Sequence, residues 1–122
     1  MNPLSFLEWD DLESLNAQLC GKAGYQHGRT SDGYAGAKAI FDASKAKTTF
    51  ALDEVVDLFR ELHRKQPFLF LNGNTFVETG RNLTTWVRGA VNAETRSRIG
   101  HHIAGTEVMT PAELKELLST EN

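Results

Sequence analysis

Pro67-Phe68-Leu69-Phe70-Leu71-Asn72-Gly73-Asn74-Thr75-Phe76-Val77-Glu78 is the stretch on which the fold turns. Gln66-Pro67 ends whatever helix precedes it, because proline lacks the N–H that a helix interior uses. Asn-Gly between two apolar runs is the strongest short hairpin signal, since a type I′ turn needs positive φ at both central residues. The spacing predicts a two-residue turn at Asn72-Gly73 and a β-hairpin over residues 67–78. Leu69, Leu71 and Phe76 would then share one face, and Phe68, Phe70 and Val77 the other. Both faces are apolar, so the hairpin must be covered twice, by helices of its own chain or by a partner. Free strand edges can pair across a two-fold axis or accept a partner's strand. Phe68, Leu69, Phe70, Leu71 and Phe76 are accordingly the interaction candidates.

On the N-terminal side, Phe50 to Lys65 carries the clearest helical stripe: Leu52, Val55, Val56, Phe59 and Leu62 recur at helical spacing. A shorter helix is predicted over Ala35–Ala46, and another from Ser5 or Trp9 to Cys20, opened by Ser5, Glu8 and acidic residues that suit a helix dipole. Between them, residues 21–36 form a long glycine-rich loop with only Tyr25 and Tyr34 to bury. On the C-terminal side, Asn82 caps a helix with Leu83, Trp86, Val87, Ala90 and Val91 as its stripe. Gly89, Asn92 and Gly100 favour two helices divided near Asn92. Thr110-Pro111-Ala112-Glu113 combines an N-cap, a first-turn proline and a capping-box glutamate for a terminal helix. The expected core includes Leu15, Ile40, Val55, Val56, Phe59, Phe70, Phe76, Trp86 and Val87.

The expected architecture is mainly α, with α+β at the margin. Residues 1–122 form a single helical domain of five or six helices with one β-hairpin. In element order, residues 9–78 resemble a winged-helix domain, with Phe50–Lys65 as the recognition helix and the hairpin as the wing. That helix begins Leu52-Asp53-Glu54-Val55-Val56-Asp57, which sets carboxylates where DNA phosphates would lie. The resemblance therefore implies a protein partner before a nucleic acid.

Composition narrows function without choosing it. The 122 residues carry a net charge of −3, and 40 % are hydrophobic, which excludes a disordered chain and weighs against a general polyanion binder. One cysteine, Cys20, excludes an intrachain disulfide and suits a reducing compartment. Residues 1–9 lack a signal-peptide pattern, and the longest strongly apolar run, Phe68–Leu71, is far too short to span a bilayer. A cytoplasmic protein with no membrane contact is expected.

No catalytic constellation emerges. Gly28-Arg29-Thr30-Ser31-Asp32-Gly33 lacks the Lys-Ser or Lys-Thr of a phosphate loop. His101 and His102 point about 100° apart on a helix, and none of the four histidines has metal-ligand spacing, so neither a metal nor a cofactor is implied. Cys20 would need a histidine such as His27 folded against it to act as a nucleophile. Asp10-Asp11 and Asp53-Glu54 sit in first turns, where capping explains them.

The leading expectation is a small non-enzymatic protein-interaction or regulatory module that binds another protein or a second copy of itself as a homodimer. The alternative is a winged-helix-like nucleic-acid binder. Residues 80–105 carry a net +3 between acidic ends, and Arg81, Arg88, Arg96 and Arg98, with Arg29 assisting, would contact the polyanion. A weaker alternative is a small-ligand protein or enzyme built around the 21–36 loop.

Overall fold

Asn72-Gly73-Asn74 is the first turn of a helix, and the expected hairpin over residues 67–78 is absent. The computed structural model describes residues 1–120. Along them run a 3₁₀ turn at Pro3–Phe6 and six helices: α1, Trp9–Ala23; α2, Tyr34–Lys45; α3, Leu52–Lys65; α4, Asn72–Arg88; α5, Ala93–Ala104; and α6, Pro111–Thr120. Among the described residues, β pairing is confined to one isolated antiparallel bridge between Arg29 and Phe68. The fold is all-helical. The α+β reading and the winged-helix-like order over residues 9–78 fall together, because there is no wing.

The Asn72 side chain supplies the reason. Its Oδ1 accepts the Phe68 N–H at 2.9 Å, and its Nδ2 donates to the Phe68 carbonyl at 2.8 Å. A buried carboxamide thus satisfies Phe68 as a second strand would have done. The positive φ falls one residue early, at Leu71 (φ 61°), which leaves Asn72 and Gly73 helical. Threonines, usually poor in helix interiors, are accommodated by back-bonding. Thr75, Thr79 and Thr84 each donate their hydroxyl at 2.8 Å to the carbonyl four residues earlier.

Phe68 and Phe76 are fully enclosed. Phe68 is ringed by Trp9, Tyr34 and Phe76, with centroids 6.1–6.4 Å away. Helix α3 is central and packs against α2, α4, α5 and α6. Its meeting with α4 and α5 depends on Gly80, where a Cβ would lie 2.5 Å from Ile103 Cδ1 and 3.1 Å from Phe59 Cδ2. Val55, Val56, Phe59 and Phe76 occupy the core as expected, whereas Leu15, Ile40 and Val87 are half-buried. Phe70 and Trp86, also expected inside, are exposed.

Asn82, expected to cap a helix, lies inside α4, which begins ten residues earlier at Asn72, but the later local signals held. Asn92 Oδ1 accepts the Thr95 N–H at 2.8 Å and opens α5. Thr110 and Glu113 close a reciprocal capping box on α6, at 2.8 and 3.1 Å. The glycine-rich loop is shorter than residues 21–36 at both ends, because α1 runs to Ala23 and α2 starts at Tyr34. Thr30 N–H to the Pro67 carbonyl (2.9 Å) and Leu69 N–H to the Gly28 carbonyl (3.0 Å) fasten it to the segment before α4. No helix among the described residues is long and apolar enough to cross a membrane.

Candidate docking groove

Helices α1 and α4 run antiparallel. Asn16, midway along α1, donates to the Thr75 hydroxyl early in α4 at 3.0 Å, while Leu7, just before α1, shares a cleft with Leu83 and Trp86 late in α4. By helical angle Trp86 falls on the buried stripe with Thr79 and Leu83. Helix α1, however, begins only at Trp9, so the α1-facing side of α4 outruns it. The 3₁₀ turn supplies one ring, Phe6, which meets Trp86 edge-on at 4.4 Å. Phe6 is 51 % exposed and Trp86 60 %.

The turn that presents Phe6 is firmly placed. Asn2 Nδ2 donates to the Ser44 and Lys47 carbonyls at 2.9 and 2.8 Å. Lys45 Nζ donates to the Leu4 and Leu7 carbonyls at 2.9 and 2.7 Å, so the end of α2 clamps the segment. Between turn, α1 and α4 lies an open cleft of about 370 Å³, with Leu7, Leu15 and Leu83 on its walls. Asp11 and Glu78 are its charged lining residues. A second cleft of about 230 Å³ shares Glu78 and Asn82 and continues along the seam past Leu19 and Val77. Arg81, one turn from Glu78, lines this second cleft together with Arg96. Its Nε donates to the Arg96 carbonyl at 2.9 Å, and its guanidinium lies against Gly100.

No family model, curated protein or solved structure matches this chain. The site therefore rests on its own geometry.

The sequence-predicted interaction residues do not share a surface. Phe68 and Phe76 are core; Leu71 is half-buried at the start of α4; Leu69 and Phe70 are exposed, with Phe70 stacked on Tyr25 at 5.0 Å. The five arginines are also dispersed. Arg29 pairs with Glu13 at 3.2 Å and lies 4.3 Å over the Tyr34 ring. Arg81 and Arg96 stitch α4 to α5, with Arg96 Nη1 donating to the Thr85 hydroxyl at 2.8 Å. Arg88 ends α4 with its Nη1 buried and unpartnered among the described residues. Glu113 is held below the ordinary carboxyl range by the Thr110 backbone and hydroxyl, and the charge of Arg98 adds to the effect.

The polar clusters in the interior are accounted for by packing. Asn16 Oδ1 is shared by His27 Nδ1 at 2.8 Å and the Cys20 thiol at 3.6 Å, so this asparagine separates the two groups that a nucleophile would need in contact. His102 is buried. Its Nδ1 accepts the Met109 N–H at 2.9 Å, and its Nε2 lies 2.7 Å from Asp57. Trp9 Nε1 donates to the Tyr34 hydroxyl at 2.9 Å, which donates to Glu13 at 2.7 Å. Burial pushes the Glu13 carboxyl up, but the bonds from Tyr34 and Arg29 and the charges of Arg29 and His27 outweigh it and bring it below its ordinary value. Burial and the Glu13 bond together raise Tyr34. Among the described residues no group of three or more His, Cys, Asp or Glu is placed to hold a metal.

Sequence reasoning missed the groove because Trp86 sits at a core angle. The available signal was longitudinal: α4 outruns its partner, which periodicity alone does not register.

Proposed function

We propose that the chain is a small non-enzymatic protein-interaction module whose docking surface is the groove between the Pro3–Phe6 turn, α1 and α4. One observation carries this reading: Trp86 lies on the apolar stripe of α4 yet is 60 % exposed, with the Phe6 ring edge-on to it. Tryptophan at the centre of an apolar cleft is the residue most often found to dominate binding energy in protein interfaces. Apolar walls at Leu7, Leu15 and Leu83 offer further area, and a patch of this kind on a small domain marks an interaction site.

Panning a random peptide display library on the full chain tests the proposal. Peptides retained by the wild type and lost with Trp86→Ala are the expected result. An empty selection, or peptides held equally well by Trp86→Ala, would remove the groove as a docking surface.

A further inference from the structure

The partner's chemistry can be read from the groove. Its two walls are rows at four-residue spacing: Asp11, Leu15 and Leu19 on α1, and Asn74, Glu78, Asn82 and Trp86 on α4. Such rows form the ridges between which a third helix lays a ridge of its own. The α4 row spans about 18 Å at 1.5 Å per residue, roughly three turns of a docked helix. No sheet edge is present among the described residues to receive an extended strand, which removes strand addition as a mode of recognition.

Charge supplies the other half. Asp11 and Glu78 line the 370 Å³ cleft, and no Lys, Arg or His lines it with them, whereas Arg81 and Arg96 line the 230 Å³ continuation, so the acidic site is confined to the first cleft. Asp11 keeps one carboxylate oxygen on the Glu8 N–H at 2.8 Å. Glu78 is exposed and has no ion pair among the described residues. A wholly apolar or acidic partner would cover both carboxylates without compensation, which is strongly unfavourable. A lysine or arginine would pair with them while its methylene stem lies on Leu15 and its cationic end nears the Trp86 ring.

We infer that the groove receives an amphipathic helix of a partner protein, with one Lys or Arg set between Asp11 and Glu78 and apolar side chains laid against Leu15, Leu83 and Trp86. This rests on the docking surface proposed above and adds the partner's conformation and charge.

The probe is a display library of alanine-based helical peptides of about 16 residues, long enough to hold helix in water, randomised along one face among apolar, basic, acidic and neutral polar residues. The retained sequences should carry a base at one fixed position relative to the apolar residues. Binding of the best should weaken about tenfold or more with Glu78→Lys and recover when the peptide's base is changed to Glu. Should Glu78→Lys fail to fold, Glu78→Gln takes its place, with a loss of roughly threefold. Retained peptides without a fixed base, binding indifferent to Glu78, or a central proline that leaves binding intact would each overturn the inference. Peptides that need Trp86 but not Glu78 would overturn it and leave the docking surface standing; an empty selection would remove both. A wild-type chain that sediments as a dimer, made monomeric by Trp86→Ala, would replace the helix with a second copy.

Discussion

Asn72 pairs with Phe68 through both ends of its side-chain amide, accepting the Phe68 N–H at 2.9 Å and donating to the Phe68 carbonyl at 2.8 Å. The pair is buried, with Asn72 4 % and Phe68 1 % exposed. It holds the aromatic hub of the core in an extended backbone at the place where α4 begins. Asn72→Ala would leave both main-chain groups of Phe68 without their partner in a dry site. A loss of about 2–4 kcal/mol in urea denaturation is expected, with rapid hydrogen exchange at the Phe68 amide. Unchanged stability would deny the pair its role.

Gly73→Ala separates helix from hairpin directly. In the first turn of α4 an added Cβ would lie 3.4 Å from His63 Nε2, an ordinary contact. Alanine also favours helix over glycine by up to about 1 kcal/mol. Stability should therefore stay level or rise by about that much. In a type I′ turn the same change would force alanine to positive φ and destabilise.

Gly80 marks the closest approach of α3, α4 and α5. Gly80→Ala is expected to destabilise by about 1–3 kcal/mol through overpacking. Ile103→Val removes the Cδ1 atom that the new methyl would strike at 2.5 Å. The double variant should therefore lose less than the two single losses added together. Strict additivity would show that the two positions do not share that space.

Glu13 has its carboxyl depressed below 4.5, despite burial, by Tyr34, Arg29 and His27. A depressed carboxyl binds protons less readily when folded, so the stability it contributes is present above the unfolded value and lost as pH falls through the folded one. Glu13→Gln retains an oxygen for Tyr34 but removes the charge. Thermal unfolding of wild type and Glu13→Gln should differ most near about pH 6–7 and converge on acidification below about pH 4. A gap that stays constant or widens toward acid pH would contradict the assignment.

How much of this was legible in the sequence depended on how local the decisive contact was. The stripe of α3, the break at Asn92 and the box of Thr110 with Glu113 are settled within a few residues, and each appeared where expected. The hairpin failed for a reason equally physical. Asn-Gly describes only the turn, whereas the outcome hung on the Asn72 side chain reaching Phe68 and on Trp9 and Tyr34 arriving from afar to enclose that ring. Two of the arginines that composition set apart as a basic segment, Arg81 and Arg96, brace α4 against α5. The angle of Trp86 on α4 is that of the core, and only the start of α1 at Trp9 shows that no turn of α1 covers it.

Trp86 and Trp9 offer a contrast in stability. At 60 % exposure Trp86 keeps roughly 100 Å² covered, so Trp86→Ala should lose about 1–2.5 kcal/mol. Trp9, 5 % exposed and bonded to Tyr34, should lose about 3–5 kcal/mol as alanine. A large loss at Trp86 would mean that its ring supports the fold and is not held ready for a partner.

The most direct measurement is site-specific photo-crosslinking in the native host. A photoreactive residue at Asn82, exposed on the groove wall, is compared with one at Ala112, exposed on α6, which packs on α3. The expected result is a discrete protein adduct at position 82 that is absent at position 112, abolished by Trp86→Ala and competed away by a helical peptide selected on the groove. Equal adducts at both positions, or an adduct at position 82 that survives Trp86→Ala, would contradict docking at the α1–α4 groove.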